Sequence, residues 1–276
     1  MACHDDPWRE SDLSVMGART SPGTFPKDFS GRISLSEEAG SGCRYIVLET
    51  EGIISLARPG QFFMVRVSGV TDPLLGRPLS CIFASQNEIG FLFRVVGRGT
   101  SLLASLPVGA RLDLRGPCGN GFPEPSKNKL LLVAGTLGIV PFLNLAGNLS
   151  LKPERTFVLG LPGKGWELFA KWCSARIPGL IISTDDGSIG SHGTAIETAK
   201  FLCTPGCEVW GCGPNAMLEN LGSLHSADKI LVSLESRMAC GIGGCMGCSV
   251  ETRSGMVRTC VEGPVFDWKE VIWDGQ

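Results

Sequence analysis

The sequence predicts an α+β multidomain protein, with an antiparallel β-barrel, an α/β domain built on a parallel sheet and a small C-terminal domain. Between residues 31 and 125, short β runs are separated by turn residues. Between residues 126 and 236, apolar strands alternate with helical segments, as in a parallel sheet. Between residues 237 and 276, periodicity is weak and cysteines cluster. These three sequence patterns predict the three units in that order.

Composition excludes several classes of protein. The 276 residues are 43% hydrophobic and 19% charged, with a net charge of -2, which is typical of an ordinary globular chain. There is no basic excess of the kind that nucleic-acid binding requires. Residues 1–30 form a polar extension without the apolar segment of a signal peptide, and we predict a flexible segment of no assigned function. We therefore expect a cytoplasmic protein.

Six β runs predict the barrel, and they read GRISLSEE, CRYIVLETE, GQFFMVRVS, LSCIFASQ, IGFLFRVVG and ARLDLRGPCG. Five apolar strands predict the parallel sheet, and they read LLLVAG, TFVLGL, GLIIST, EVWGCG and KILVSLE. The uncharged run from Leu130 to Leu151 is long enough to span a bilayer. Glycine, proline and asparagine interrupt it, which favours a buried strand, a tight turn and a helix instead.

The strongest chemical signal is a cysteine motif near the C-terminus. Cys240, Cys245, Cys248 and Cys260 have the spacing C-x4-C-x2-C-x11-C, which matches plant-type 2Fe-2S proteins. The glycines between them let the backbone wrap closely, so that N–H groups point at the sulfurs. The alternative is structural zinc, which normally uses two separate C-x2-C pairs, whereas only Cys245 and Cys248 have that spacing. We interpret the other eight cysteines as small buried apolar residues.

Two segments of the predicted barrel point to an anionic ligand. Arg77, Pro78, Leu79 and Ser80 form a segment that, taken alone, is an ordinary turn. Further along, Gly97, Arg98, Gly99 and Thr100 form a glycine turn that opens a short helix. Free N–H groups at a helix start, together with an arginine, suit a pyrophosphate.

Two turns of the predicted parallel sheet favour a nucleotide. Gly135 and Gly138 lie in a turn between a strand and a helix, although the full G-x-G-x-x-G fingerprint is absent. Cys212, Gly213 and Pro214 end a later strand at the crevice where such sheets bind ligands. The GLPGKG segment lacks the hydroxyl residue of a Walker A loop, so we predict a plain loop. For Asp185 and Asp186 a turn role is favoured over ribose binding, and no residue is assigned as catalytic.

The order of these motifs resembles the ferredoxin-reductase superfamily, and within it the electron-transfer subunits of dihydroorotate dehydrogenase B, over about residues 31–276. The similar segments are PGQFFMVRV, DPLLGRPLS, RVVGRGTSLL, GPCGNGF, STDDGS, GCGPNAML, SLESRMACGIGGCMGC and CVEGPVF. Two segments depart from the usual pattern of that family, AGTLGIVP in place of GGGIGVPP and GRPLS in place of RRPIS.

The resemblance implies a role for each motif. Arg77 and Ser80 of the RPLS segment would contact FAD, and Gly97–Thr100 would lie along its phosphates. The turns with Gly135 and Gly138 and with Cys212, Gly213 and Pro214 would frame NAD beside the flavin. The four cysteines would hold the 2Fe-2S cluster. Electrons would enter singly through the cluster, collect on FAD and leave as hydride to NAD.

The resemblance also implies a partner chain. No eight-fold βα pattern is present that would hold FMN and dihydroorotate. The family pairs with an FMN-containing catalytic subunit in a heterotetramer that serves pyrimidine biosynthesis. Two alternatives stay open from the sequence. One is the flavin subunit of another electron-transfer complex, of the sulfide dehydrogenase or transhydrogenase type. The other is a zinc-stabilised nucleotide-binding regulator.

Overall fold

In this computed structural model, the structure describes residues 26–50, 57–143, 145 and 153–273. Six antiparallel strands close into a barrel in the order β1-β2-β5-β4-β3-β6, which confirms the predicted barrel. Their bounds are β1 (Lys27–Gly40), β2 (Cys43–Thr50), β3 (Phe62–Val67), β4 (Arg77–Ala84), β5 (Glu88–Arg94) and β6 (Arg111–Cys118). Helix α1 (Arg98–Ser105) lies between β5 and β6. Phe63 and Phe91 pack edge to face inside the barrel at 5.9 Å between ring centroids.

The first strand begins earlier than the predicted barrel. Residues 27–30 belong to β1, where Lys27 pairs with Gly116 and Phe29 with Leu114 of β6. Residues 27–30 were predicted to belong to the extension because so short a segment has no apolar period, and only a distant partner strand stabilises it as a strand. The rest of the predicted extension lies outside the described residues.

The second unit is a seven-stranded sheet in the order β10-β9-β8-β7-β11-β12-β15, parallel except for β15. Its strands are β7 (Lys129–Gly135), β8 (Glu154–Leu161), β9 (Ile181–Thr184), β10 (Ser191–His192), β11 (Cys207–Cys212), β12 (Ala227–Ser233) and β15 (Val265–Asp267). The helices are α2 (Val140–Leu143), α3 (Glu167–Ser174), α4 (Ala195–Leu202) and α5 (Asn215–Asn220). A capping box closes the start of α4, with Thr194 accepting from the Glu197 N–H.

The uncharged run forms strand β7, a 3-10 turn over Thr136–Ile139 and the start of α2, as predicted for its described part. Central strands are apolar on both faces because helices cover both sides of the sheet. Trp210 of β11 is fully buried and stacks on Phe122 at 4.6 Å between ring centroids. No described helix has both the length and the apolar character needed to cross a bilayer.

The barrel and the sheet share one core and are joined by an aromatic contact. The guanidinium of Arg176 lies 3.6 Å from the ring centroid of Trp172, beside Tyr45 of β2. Arg176 also pairs with Glu37 of β1 at 3.4 Å. Buried residues of both units, Cys43 and Leu92 among them, belong to the same apolar cluster. The two units therefore pack as one body rather than as domains joined by a linker.

The C-terminal segment contains a hairpin, β13 (Ser249–Thr252) with β14 (Gly255–Arg258). It is less separate than the sequence predicts, because β15 leaves this segment to pair antiparallel with β12 of the large sheet. The pairing of Val232 with Phe266 was hidden from sequence analysis, since three residues of strand carry almost no periodic pattern.

Candidate functional site

The first candidate site lies where strand β4 meets the start of α1. Gly99 has no Cβ, and one added there would lie 1.9 Å from Nε of Arg77. The guanidinium of Arg77 therefore occupies the space over the first helical turn. Thr100 Oγ1 accepts from the backbone N–H groups of Val96 and Gly97 at 3.0 and 3.2 Å. The structure thus brings together two segments, RPLS at the start of β4 and GRGT at the start of α1, that are separated in the chain by strand β5.

The surroundings of this site suit a ligand that is partly apolar and partly anionic. Val65, Leu102 and Leu103 line a narrow crevice together with Arg77 and Gly99. Arg98 is exposed and pairs with Asp72 across the mouth of the site. Two arginines near the start of α1, where no side chain caps the first N–H groups of the helix, favour a phosphate group. The chemistry of these residues fits FAD.

The second candidate site lies at the carboxyl edge of the parallel sheet. A Cβ added to Gly138 would lie 1.9 Å from the Cys212 carbonyl oxygen. Gly213 has a φ of 152°, and a Cβ there would lie 2.9 Å from the Gly135 nitrogen. The two predicted turns are therefore packed backbone to backbone, beside Pro214 at the start of α5. Sheets of this type bind dinucleotides at such an edge.

Cys212 is a neutral thiol in this second site. Burial raises the pKa of its thiol well above the ordinary value, with the charge of Glu235 acting in the same direction. A protonated, buried thiol packs as a small apolar group and does not act as a nucleophile. This environment suits close packing against the turn rather than a covalent reaction.

Beside this edge, two motifs that the sequence left as loops form one unit. Asp186 accepts from the Lys164 N–H at 2.8 Å and from the Ser188 N–H at 2.9 Å and hydroxyl at 2.6 Å. The GLPGKG loop after β8 and the STDDGS turn after β9 are thereby joined. The predicted turn role of Asp186 agrees with these contacts. Hydrogen bonds from Ser188 and Lys164 lower the pKa of Asp186 to about 2.

This carboxylate leads to a pH prediction. Its pKa is lower in the folded chain than in the unfolded one, so its contribution to stability is present above about pH 4. That contribution is lost as the pH falls towards about 2. We expect the stability difference between the wild type and Asp186→Asn to be constant above pH 4 and to shrink below it. Urea unfolding at several pH values measures it, and a difference that grows on acidification would contradict the assignment.

The third candidate site is the cysteine loop, in which the four thiols form two pairs. Cys245 is the thiol neighbour that affects the ionisation of Cys240, and Cys248 is the thiol neighbour that affects the ionisation of Cys260. Cys248 and Cys260 are buried, whereas Cys240 is half-buried and Cys245 is exposed. Among the residues that the structure describes, no three Cys, His, Asp or Glu side chains form a group that could hold one ion.

The loop backbone is arranged around the Cys240 sulfur. The N–H of Ile242 lies 3.5 Å from Cys240 Sγ. Burial opposes ionisation, but N–H groups of Ile242, Cys245 and Gly244 outweigh it and lower the pKa of Cys240 to about 6. The buried Cys260 differs, because burial and the neighbouring Cys248 raise its pKa to about 12. The loop therefore stabilises a thiolate at its exposed end.

This arrangement bears on which metal group the loop fits. A tetrahedral zinc site needs four thiolates around one centre. A 2Fe-2S cluster has two irons with two ligands on each. Two thiol pairs, with N–H groups directed at the sulfur of one, match the second requirement. The donor set therefore fits a 2Fe-2S cluster.

Comparison with known proteins agrees with this geometry. Residues 235–272 match the family model described as the iron-sulfur cluster binding domain of dihydroorotate dehydrogenase B. The electron transfer subunit of dihydroorotate dehydrogenase B (NAD(+)) from Desulforamulus reducens is 35% identical over 83% of this chain and 92% of its own length. The chain belongs to this family of electron transfer subunits. The subunit of the same name from Clostridium acetobutylicum is 35% identical over 78% of this chain and 86% of its own length.

Solved structures support the fold of this family member. A structure of NADH-dependent reduced ferredoxin-NADP oxidoreductase has a TM-score of 0.75 and covers 88% of this chain and 90% of its own, at 23% identity. The ferredoxin reductase of carbazole 1,9a-dioxygenase has a TM-score of 0.63 and covers 75% of this chain and 68% of its own, at 19% identity. The predicted ferredoxin-reductase fold is confirmed.

Sequence reasoning missed the residues that join the cysteine loop of this electron transfer subunit to the barrel. The Asn120 side chain donates to the carbonyls of Val261 and Glu262 at 3.0 and 3.1 Å. Its N–H donates to the Gly263 carbonyl at 2.6 Å. The signal available was only the GPCGNGF segment, whose polar residue between two glycines suggests a turn. Its partners lie more than a hundred residues away and have no local pattern.

Proposed function

We propose that this chain is the electron transfer subunit of an NAD-dependent dihydroorotate dehydrogenase, and that it carries FAD and a 2Fe-2S cluster. The observation that carries the proposal is the set of two thiol pairs within residues 235–272, packed against the barrel that contains RPLS. The carboxyl edge of the adjoining parallel sheet, which suits a nucleotide, is the third feature. These three features in one chain match the requirements of a relay between single electrons and hydride.

The iron-sulfur ligands in this proposal are Cys240, Cys245, Cys248 and Cys260. The hydrogen bonds of the loop hold Cys240 ready as a thiolate, as the metal requires. The ion pair between Arg258 and Glu262 holds the segment around Cys260, and Arg258 also donates to the Gly243 carbonyl at 3.2 Å. The side chain of Arg258 therefore ties the loop to the hairpin.

FAD would be held by Arg77, Pro78, Leu79 and Ser80 of β4 and by the turn of Gly97, Arg98, Gly99 and Thr100. The role of Arg77 is to neutralise phosphate charge above the first turn of α1, which the missing side chain of Gly99 allows. Thr100 closes the turn through the hydrogen bonds that its Oγ1 accepts from the Val96 and Gly97 N–H groups. Pro78 and Leu79 supply apolar side-chain surface on β4, which pairs with β3.

NAD would lie along the turns that contain Gly135, Gly138, Cys212, Gly213 and Pro214. These residues present backbone and a protonated thiol, and they offer no acid or base. Flavin exchanges electrons singly or in pairs, and nicotinamide exchanges them as hydride, so the chemistry belongs to the bound groups. The chain's own contribution is to position them and to exclude water.

The partner in this proposal is an FMN-containing catalytic subunit, in a heterotetramer of two chains of each kind, in the cytoplasm. The support for a partner chain is the set of folds that the described residues form. The described residues form a six-stranded barrel and an open sheet, and they contain no eight-stranded βα barrel of the type that would hold dihydroorotate. The dihydroorotate site must then lie on another chain.

The test is purification of the chain alone and together with the co-expressed catalytic subunit. We expect the lone chain to carry flavin and iron, to reduce an artificial dye with NADH and to leave dihydroorotate unchanged. The complex is expected to oxidise dihydroorotate with NAD. Visible absorption, iron and sulfide analysis, and mass measurement of the complex provide the readouts.

Three results would contradict the proposal. A zinc-containing, colourless protein would support the alternative of a nucleotide-binding regulator. Oxidation of dihydroorotate by the lone chain would refute the division of labour. Failure of the co-expressed subunits to associate would remove the proposed partner. A catalytic subunit purified alone serves as the matched control for dihydroorotate oxidation.

A further inference from the structure

One buried methionine of the barrel touches both the strand proposed to hold flavin and the loop proposed to hold the cluster. A Cβ added to Gly76, the residue before Arg77, would lie 3.4 Å from Met64 Cε. A Cβ added to Gly241, the residue after Cys240, would lie 2.5 Å from Met64 Cγ and 3.0 Å from its Sδ. The Met64 side chain therefore fills the space between these two segments.

This contact is buried and close-packed. Met64 is 5% exposed and belongs to a buried cluster with Phe62, Cys118, Cys248 and Cys260. In the strand register, Met64 stands directly opposite Pro78 of the RPLS segment. Residues opposite each other in antiparallel strands share a face, so Met64 and Pro78 lie side by side. A displacement of the cysteine loop relative to β3 is equally a displacement relative to RPLS.

The cysteine loop has different anchors at its two ends. Near Cys260, Asn120 makes hydrogen bonds to the backbone of residues 261–263. Near Cys240, the turn at Gly241 has a φ of 71° and lies against Met64. At this end the backbone hydrogen bonds to the Cys240 sulfur come from the loop itself and do not reach the barrel. The packing of Met64 at this turn, with Cys118 Sγ farther away at 3.8 Å from the same Cβ position, therefore sets the position of Cys240 relative to RPLS.

We propose that Met64 is a positioning residue that sets the separation and contact between the flavin strand and the Cys240 end of the cluster loop. The inference rests on the proposed function, because it assigns Met64 to the path between the two groups named there. Its physical basis is that close-packed side chains transmit position, while a cavity in their place lets the loop shift. Long, flexible and polarizable, methionine suits an irregular gap of this kind.

The test compares Met64→Ala, Met64→Leu and Met256→Ala in the intact complex. Met256 is 62% exposed on β14 and serves as the matched methionine control. After rapid mixing with NADH, which supplies two electrons to the flavin, the bleaching of the cluster measures the passage of one of them. For Met64→Ala we expect this rate to fall by about tenfold or more, since small misplacements have effects of that size. Met64→Leu, of similar volume, restores the rate, and Met256→Ala leaves it unchanged.

Two further readouts separate positioning from general damage. Hydrogen exchange of the amides of residues 241–248 is expected to quicken in Met64→Ala alone. The EPR line shape of the reduced cluster is expected to change in the same variant, at full iron and flavin content. If Met64→Ala does not fold, Met64→Val is measured in its place and the same slower rate and faster exchange are expected.

The outcomes distinguish this inference from the proposed function. A wild-type complex that lacks iron or flavin overturns the proposed function itself. A wild-type complex with both groups, in which Met64→Ala shows an unchanged rate and unchanged exchange, overturns the role of Met64 alone. A loss of rate in Met64→Leu equal to that in Met64→Ala would also overturn it, because volume would then not be the determinant.

Discussion

Replacement of Cys260 by alanine is expected to abolish the iron-sulfur centre while the flavin stays bound. Cys260 is 2% exposed and lies beside Cys248 in a buried cluster, so its replacement by alanine removes one of the four thiols from the interior of the site. Loss of groups that merely orient a metal ligand lowers affinity about 10- to 100-fold, and loss of a ligand itself is expected to cost more. Iron and sulfide analysis and the visible spectrum measure the result.

The control for this variant is Cys203→Ala, which removes a buried thiol from the α/β domain. It is expected to keep full iron content and to lose only the modest stability that a small cavity costs. Cys260→Ala should still show flavin reduction by NADH, since the barrel and the nucleotide edge are untouched. Iron content equal to that of the wild type would refute the ligand assignment.

The second large effect is expected for Gly138→Ala, at the meeting point of the two nucleotide turns. The new methyl group would lie 1.9 Å from the Cys212 carbonyl oxygen and 2.4 Å from its carbon. These are backbone atoms at the end of β11, so the strand end must move to make room. We expect a loss of about 1–3 kcal/mol in the free energy of unfolding, as for other overpacked sites, and weakened NADH binding.

Denaturant unfolding and a titration of NADH against flavin bleaching measure these two changes. Gly179→Ala is the matched control, since Gly179 has a φ of 79° and open space around its Cα. Its cost is about 1 kcal/mol from the left-handed conformation alone, and its NADH binding should equal that of the wild type. Equal NADH binding by Gly138→Ala would show that the nucleotide does not depend on this turn.

Much of the fold was accessible from the sequence because it rests on local patterns. Alternating β runs reflect the two faces of a barrel strand, and apolar strands between helices reflect a sheet covered on both sides. The cysteine spacing C-x4-C-x2-C also acts locally, since three of its members lie in one loop. The GRGT turn at the start of α1 is likewise formed by neighbouring residues.

What sequence reasoning did not reach depends on contacts between distant segments. Strand residues 27–30, the pairing of β15 with β12 and the anchoring role of Asn120 all depend on partners far along the chain. The joining of GLPGKG and STDDGS through Asp186 is another such contact. None of these contacts leaves a periodic pattern in the sequence, because the residues meet only when the chain has folded.

By itself the sequence determined the order of the three units, the family and the types of residue that each ligand needs. Those features follow from side-chain periodicity and from the spacing of thiols and glycines, which are properties of neighbouring residues. Only the tertiary structure decided that the thiols form two pairs, that Arg77 lies over Gly99 and that Met64 lies between Gly76 and Gly241. The reason is that such contacts arise from the packing of strands and loops that are remote in the chain, where a difference of one ångström determines which atoms touch.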